Sequence, residues 1–124
     1  MSKIAVVYWS GTGNTEAMAN AILEGVREAG ADGALYTASE FGADLMDGFD
    51  AIAFGCPSMG SEQLEDSEFE PMFTDVEPKL AGKAVVLFGS YDWGDGEWMR
   101  SWESRCADNG ITLAAESLIV NNEP

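Results

Sequence analysis

The chain has 124 residues, 46% of them hydrophobic, which is enough apolar material for one domain with a buried core. Its 22 acidic residues against 6 basic ones give a formal net charge of -16, a field that repels nucleic acid and anionic membranes and attracts basic partners. The sequence contains no histidine, which excludes Ser/His/Asp and Cys/His catalytic arrangements and imidazole ligation of a metal.

The predicted elements alternate between strands and helices from the N-terminus onward. Residues 4–8 form a short apolar run typical of a parallel strand buried on both faces. Residues 15–29 then change to helical spacing and predict a helix. Further along, the pattern indicates a second strand at residues 34–37, a weak helical turn at residues 41–46 and a third strand at residues 51–55.

The second half of the chain continues this alternation. Residues 68–79 have a helical pattern, interrupted by Pro71 near its start, and residues 83–90 give the clearest strand pattern of all. A helix is predicted over residues 98–109, and a last strand, broken at its middle, within residues 111–120. Alternating strands and helices predict an α/β fold whose parallel sheet is covered on both faces.

Three loops rich in glycine and serine follow the first, third and fourth strands: SGTGNT, CPSMGSE and SYDWGDG. Ligands of such sheets bind beyond the carboxyl ends of the strands, so the three loops are expected to converge on one site. The first loop opens a helix, whose free N–H groups and dipole favour an anion. Gly11 and Gly13 allow the backbone to close around a phosphate. Side-chain donors would come from Ser10, Thr12, Asn14 and Thr15.

The first loop lacks the Gly-Lys of a Walker A motif and has only the first part of a dinucleotide fingerprint. Taken alone, it is also consistent with a glycine turn capped by Thr15 or Asn14. Trp93 and Met59, in the other two loops, are suited to face each other across a flat ligand, although either alone is more often a core or rim residue. Together the three loops predict a planar heterocycle that carries a single phosphate.

Three segments of the chain resemble a known family. YWSGTGNTE, GCPSMGSEQLEDSEFEP and LFGSYDWGDGEWM are similar to the phosphate loop and the two flavin-flanking loops of short-chain flavodoxins from anaerobic bacteria, and the similarity extends over essentially the entire chain. The resemblance implies a flavodoxin-like, doubly wound, five-stranded parallel sheet of order 2-1-3-4-5 in a three-layer sandwich. It also implies noncovalently bound FMN and a low-potential one-electron carrier that cycles between semiquinone and hydroquinone, rather than an enzyme.

The resemblance assigns the FMN contacts residue by residue. The phosphate loop contributes Ser10, Gly11, Thr12, Gly13, Asn14 and Thr15, the second loop Pro57, Ser58, Met59, Gly60, Ser61 and Glu62, and the third loop Ser90, Tyr91, Asp92, Trp93 and Gly94. Met59 would pack on the inner face of the ring and Trp93 on its outer face, while Glu62 would accept a hydrogen bond from flavin N3–H. The Gly60 carbonyl would turn toward N5–H and stabilise the semiquinone. Asp92 departs from the family, which often has glycine there.

The C-terminal residues follow the fifth predicted strand directly, whereas members of the family continue into a final helix. With right-handed crossovers, only that helix would cover strands three to five on the face occupied by the first helix. The resemblance therefore predicts that the last helix is missing and that side chains of VVLF and LIV meet water. Such an apolar patch predicts a truncated chain, a homo-oligomer or a complementing segment that covers it.

Other properties of the sequence bear on location and partners. Cys56 and Cys106 lie far apart in the sequence, with no CxxC or zinc-ligand spacing, which is typical of buried thiols in a reducing compartment. The N-terminal apolar run is too short for a signal peptide. We expect a cytoplasmic protein with a single domain over residues 1–124, with no metal, no nucleic-acid partner and no membrane. The expected partners are redox enzymes with basic docking surfaces, which the acidic residues near Glu62 would meet.

Two alternative functions remain open at this stage. One is a flavin-free binding module or a dimerising fragment on the same fold. The other is a flavin or quinone reductase, which would need a second substrate pocket, and the sequence contains no additional loop to form it.

Overall fold

A computed structural model describes residues 3–9, 14–57, 68–80, 83–91, 97–111, 113 and 118–121. The strands are β1 (Lys3–Tyr8), β2 (Asp32–Thr37), β3 (Ala51–Gly55), β4 (Ala84–Tyr91) and β5 (Leu118–Asn121). The helices are α1 (Asn14–Glu28), α2 (Phe69–Val76) and α3 (Glu97–Asp108), with 3₁₀ turns at Ala38–Glu40, Ala43–Gly48 and Glu77–Lys79. The predicted alternation of strands and helices is confirmed.

All five strands pair in parallel, and their order in the sheet is β2-β1-β3-β4-β5. This confirms the predicted fold class and strand order. The register pairs Tyr8 with Gly55 and Gly55 with Phe88, so β1 and β3 end side by side at the carboxyl edge of the sheet, and β4 continues past them to Tyr91. Parallel strands cannot be joined by a tight turn, so longer connections link them; these contain α-helices except between β2 and β3, where the described elements are 3₁₀ turns.

The two faces of the sheet bury different side chains. The face covered by α1, which we call the α1 face, carries Val6, Ala53 and Phe88. The opposite face, which we call the α2–α3 face, is packed against α2 and α3. Its sheet residues include Val7, Ile52, Phe54, Val85 and Leu87. The period-2 alternation along each strand assigns neighbouring residues to opposite faces, and the helical stripes of α1, α2 and α3 supply the matching apolar surfaces.

The expectation that the VVLF side chains meet water is wrong for most of them. Val85 and Leu87 are buried on the α2–α3 face, and Phe88 is fully buried on the α1 face. Phe88 escapes exposure because its ring lies over Gly55, where a Cβ atom would overlap it, and packs with α1 residues. Val86 is half-buried against the same cluster. Ile119 is 38% exposed, and its pairing with Gly89 places it on the α2–α3 face.

Three local predictions need correction. Pro71 does not interrupt α2, because it lies in the first helical turn, where its missing N–H is not needed. The weak helical turn predicted at residues 41–46 overlaps a 3₁₀ turn, Ala43–Gly48. Another 3₁₀ turn, Ala38–Glu40, precedes it. Among the described residues of the first half of the last predicted strand, Leu113 forms a bridge with Val85 and Ile111 lies outside any strand.

Both cysteines are buried free thiols, as predicted. Burial raises the pKa of Cys106 to about 11, and the nearby Glu77 carboxylate raises it further, so this thiol is protonated at neutral pH. Within the described ranges, no helix combines the length and the hydropathy that a membrane crossing requires.

Candidate functional site

The carboxyl ends of β1, β3 and β4 lie side by side and are joined beyond the last paired residues by backbone hydrogen bonds. Trp9 N donates to Gly55 O at 3.0 Å, and Cys56 N donates to Phe88 O at 3.1 Å. The three glycine- and serine-rich loops therefore leave the sheet from adjacent points on one edge. This is the position at which open α/β sheets bind their ligands.

The start of α1 faces the same edge. Asn14 is its first residue, and Thr15 in its first turn is fully buried. The Glu16 carboxylate accepts a hydrogen bond from Tyr8 Oη at 2.9 Å, which anchors this acidic side chain to the end of β1. Burial raises the pKa of Tyr8, and the bond to Glu16 raises it further, so the phenol stays a donor at neutral pH. The N-terminus of a helix favours an anion through its dipole, without help from a basic side chain.

One side-chain hydrogen bond connects the residue at the start of the second loop to the helix that follows the third loop. Trp98 Nε1, at the start of α3, donates to Cys56 O at 3.0 Å in a buried setting. Gly89 in β4 lies against the same carbonyl, because a Cβ atom there would overlap Cys56 O. From the sequence, Trp98 is predicted only as a helix residue and Cys56 as a buried thiol at the start of the second loop. The one signal for this contact was a glycine inside an otherwise apolar strand, which marks a close backbone approach.

A cavity of about 240 Å³ lies at this edge, between the end of β1 and the residue preceding α2. Its lining includes the Glu16 and Glu68 carboxylates, and Trp9 Nε1 donates to Glu68 Oε1 at 3.2 Å. Two larger cavities, of about 520 and 500 Å³, lie on the outer side of α3 and at the amino ends of the strands. The described lining of the first comes from α3 alone, and the second lies at the opposite edge of the sheet from the three loops.

The structure describes only part of the predicted site. Thr15 and Pro57 are described with their side chains, while Asn14 begins α1 and Ser90 and Tyr91 end β4. The remaining predicted contacts lie outside the described residues: Ser10, Gly11, Thr12, Gly13, Ser58, Met59, Gly60, Ser61, Glu62, Asp92, Trp93 and Gly94. The described part of the site therefore consists of the residues at which each of the three loops leaves and rejoins the fold.

The chain is similar to known proteins over nearly its whole length. The profile of the family described as "Flavodoxin" matches residues 6–123. A flavodoxin from Megasphaera elsdenii is 54% identical over 121 residues, covering 98% of this chain and 88% of the relative. A flavodoxin from Clostridium beijerinckii is 48% identical over 119 residues, covering 96% and 86%.

The fold agrees with this similarity. The solution structure of two-electron reduced Megasphaera elsdenii flavodoxin superposes with a TM-score of 0.92 at 54% identity, and the match covers 98% of this chain and 88% of that one. A structure of an archaeal flavodoxin, at 28% identity, superposes with a TM-score of 0.87, covering 98% and 85%.

Proposed function

This chain belongs to the flavodoxin family, and from that premise we propose that it binds FMN at the carboxyl edge of β1, β3 and β4 and carries single electrons at low potential. Flavodoxins carry FMN and transfer electrons, and they are electron-transfer proteins rather than enzymes. The observation that carries the proposal is the shared edge, where β1 and β3 end at the paired residues Tyr8 and Gly55 and backbone hydrogen bonds join them to each other and to β4. The flavin-free alternative is not favoured by these relatives.

We propose that the first loop and the start of α1 hold the phosphate. The first turn of α1 presents the positive end of the helix dipole at this edge, and Thr15 in that turn is fully buried. The contributors would be Ser10, Gly11, Thr12, Gly13, Asn14 and Thr15. A phosphate bound in this way is stabilised by backbone dipoles, and these dipoles add no net positive charge near the ring.

The other two loops would enclose the ring. Met59 and Trp93 would lie on its two faces, and Glu62 would accept a hydrogen bond from its edge, with the remaining contacts from Pro57, Ser58, Gly60, Ser61, Ser90, Tyr91, Asp92 and Gly94. Bound FMN supplies the one-electron chemistry. Glu16 and Glu68, both at this edge, add to a strongly acidic surface. Carboxylates near a group that gains negative charge disfavour its reduction, and a low potential follows.

The finer features of the proposal concern partners and location. The net charge of -16 favours redox enzymes with basic docking surfaces and disfavours nucleic acid and anionic membranes. We place the protein in the cytoplasm and treat residues 1–124 as a single domain. We also propose that a second copy of the chain or a complementing segment covers the α1 face. The burial of Phe88 leaves less open apolar surface on that face than the sequence predicts.

The test compares FMN with riboflavin, which has the same ring but no phosphate. Apoprotein is titrated with each, and binding is followed by flavin fluorescence. We expect FMN to bind at least about a hundredfold more tightly, since a phosphate in a helix N-terminal site makes several charge-assisted hydrogen bonds. Replacing Thr15 with Val, which keeps its shape, should weaken FMN binding roughly tenfold and leave riboflavin binding unchanged. A chain that takes up no FMN at millimolar concentration would refute the proposal.

A further inference from the structure

One buried side-chain hydrogen bond joins the anchors of two loops that the proposed function places around the FMN ring. Trp98 Nε1 donates to Cys56 O at 3.0 Å, and Trp98 is 1% exposed while Cys56 is fully buried. Cys56 directly follows β3 and precedes the loop of residues 57–62. Trp98 is the second residue of α3, and α3 begins directly after residues 92–96. The bond thus connects the beginning of one loop to the end of the other.

The Cys56 peptide is fixed on both sides. Its N–H donates to Phe88 O at 3.1 Å, which extends the pairing between β3 and β4 by one residue. Its carbonyl meets the Trp98 indole and also the backbone of Gly89. A Cβ atom on Gly89 would overlap Cys56 O and come within 3.1 Å of Trp98 Cζ2. Because position 89 has no side chain, the carbonyl and the indole can both lie against β4.

We infer that Trp98 is a positioning residue for the proposed FMN site: its indole N–H holds Cys56, where one of the proposed ring-flanking loops begins, against the start of α3, where the other ends. This inference rests on the proposed function. A planar ligand between two loops requires a gap of defined width, because contacts are lost when a wall moves by a fraction of an ångström. The bonds from Trp9 N and Cys56 N that join the strand ends are made by backbone, whereas this one is made by a side chain. A single substitution therefore removes it.

The chain offers a matched control on the same helix. Trp102 lies four residues further along α3 and is 2% exposed, and its buried Nε1 has no hydrogen-bond partner among the described residues. Trp98→Phe and Trp102→Phe thus make the same chemical change to two buried indoles, but only the first removes the bond to Cys56. Both variants are made in the full chain and titrated with FMN.

We expect Trp98→Phe to raise the dissociation constant of FMN roughly tenfold and Trp102→Phe to change it less than about twofold. Without FMN, backbone amide exchange within residues 57–62 should accelerate in Trp98→Phe and stay at the parent rate in Trp102→Phe. Gly89→Ala displaces the same carbonyl from its other side and should also accelerate this exchange. The amide measurement follows loop position and does not depend on redox activity.

Equal FMN affinity and equal exchange in the two tryptophan variants would overturn the inference. It would also be overturned if Trp98→Phe lowered the free energy of unfolding but left both FMN affinity and exchange within residues 57–62 unchanged, since Trp98 would then be only a core residue. If the parent chain binds no FMN, the proposed function fails. The exchange rates of the FMN-free variants then decide, by the same comparison, whether Trp98 holds this loop.

Discussion

The two faces of the sheet are built from side chains of different size. On the α2–α3 face, Phe54, Phe69, Phe73 and Trp102 form a cluster of rings, with edge-to-face pairs whose centroids are 5.1 to 5.6 Å apart. On the α1 face, the strands offer Val6 and Ala53, and α1 contributes mainly Met18, Ala19 and Leu23. Tyr8 and Phe88 are the two aromatic rings among the described buried residues of that cluster, and Gly55 makes room for Phe88.

This difference shows how one sheet separates stability from ligand binding. Aromatic rings bury large areas and gain additional energy from edge-to-face geometry, so the α2–α3 face should supply most of the core energy. The α1 face fills its space with smaller groups and carries the helix whose first turn lies at the proposed phosphate site. Substitutions on the two faces should therefore differ in their effect on the free energy of unfolding.

The largest effect is expected from Phe73→Ala on the α2–α3 face. Phe73 is fully buried between Phe54, Phe69 and Trp102, so the change removes a ring from the centre of the cluster. We expect the free energy of unfolding to fall by about 3 to 5 kcal/mol, from lost burial and from the cavity left behind. Urea denaturation of the FMN-free protein, followed by circular dichroism, measures the change.

The control lies on the opposite face. Val86 is half-buried in the cluster with α1, and Val86→Ala should lower the free energy of unfolding by only about 1 kcal/mol. If the two substitutions cost the same, the faces contribute equally and the comparison fails.

Much of this arrangement follows from sequence pattern, but not all of it. The parallel strands and their glycine-rich loops were predictable, because residues 4–8, 51–55 and 83–90 are apolar runs that end in such loops, whereas the strand order was implied by the resemblance to flavodoxins. The burial of Phe88 was not predictable, since it depends on Gly55 in a neighbouring strand, and register across strands is a tertiary property. The bond from Trp98 to Cys56 was missed for the same reason: the two residues are 42 positions apart.

An intermediate effect is expected at the contact between Gly55 and Phe88. A Cβ atom at position 55 would overlap the Phe88 ring, so Gly55→Ala forces that ring out of its place in the α1-face cluster. We expect a loss of about 1 to 3 kcal/mol in the free energy of unfolding of the FMN-free protein. Adding Phe88→Leu should recover part of that loss, and a double-mutant cycle measures the coupling.

Gly25 provides the matched control for this substitution. It lies within α1, and a Cβ atom there would meet nothing within 4 Å. Gly25→Ala should therefore stabilise the protein by about 0.5 to 1 kcal/mol through helix propensity. Additive effects of Gly55→Ala and Phe88→Leu would show that the ring does not depend on the glycine.

The smallest effect concerns the charged layer outside the aromatic cluster. Arg105 on α3 donates to Glu70 at 2.7 Å and to Glu77 at 3.0 Å, and its guanidinium lies 4.9 Å from the centre of the Phe73 ring. Arg105→Met keeps the apolar stem and removes the charge. Because the Arg105 side chain is 27% exposed, solvent screens the pairs, and we expect a loss of about 1 kcal/mol at pH 7.

The dependence of this loss on pH identifies its source. Burial opposes ionisation of Glu70, but hydrogen bonds from Arg105 and Thr74 outweigh it and lower the pKa of Glu70 below its ordinary 4.5. A carboxyl with a lowered pKa stabilises the fold above its unfolded pKa, and this contribution is lost as the pH falls through the folded value. The difference in unfolding free energy between parent and Arg105→Met should therefore shrink as the pH falls below the ordinary carboxyl pKa of 4.5. Arg27→Met, at an exposed position in the last turn of α1, removes the same charge from a chain of net charge -16 and should show a smaller difference at pH 7. A gap that stays constant down to pH 3 would mean that Arg105 acts through its contact with the Phe73 ring, and the charged layer would then add nothing of its own to the aromatic face.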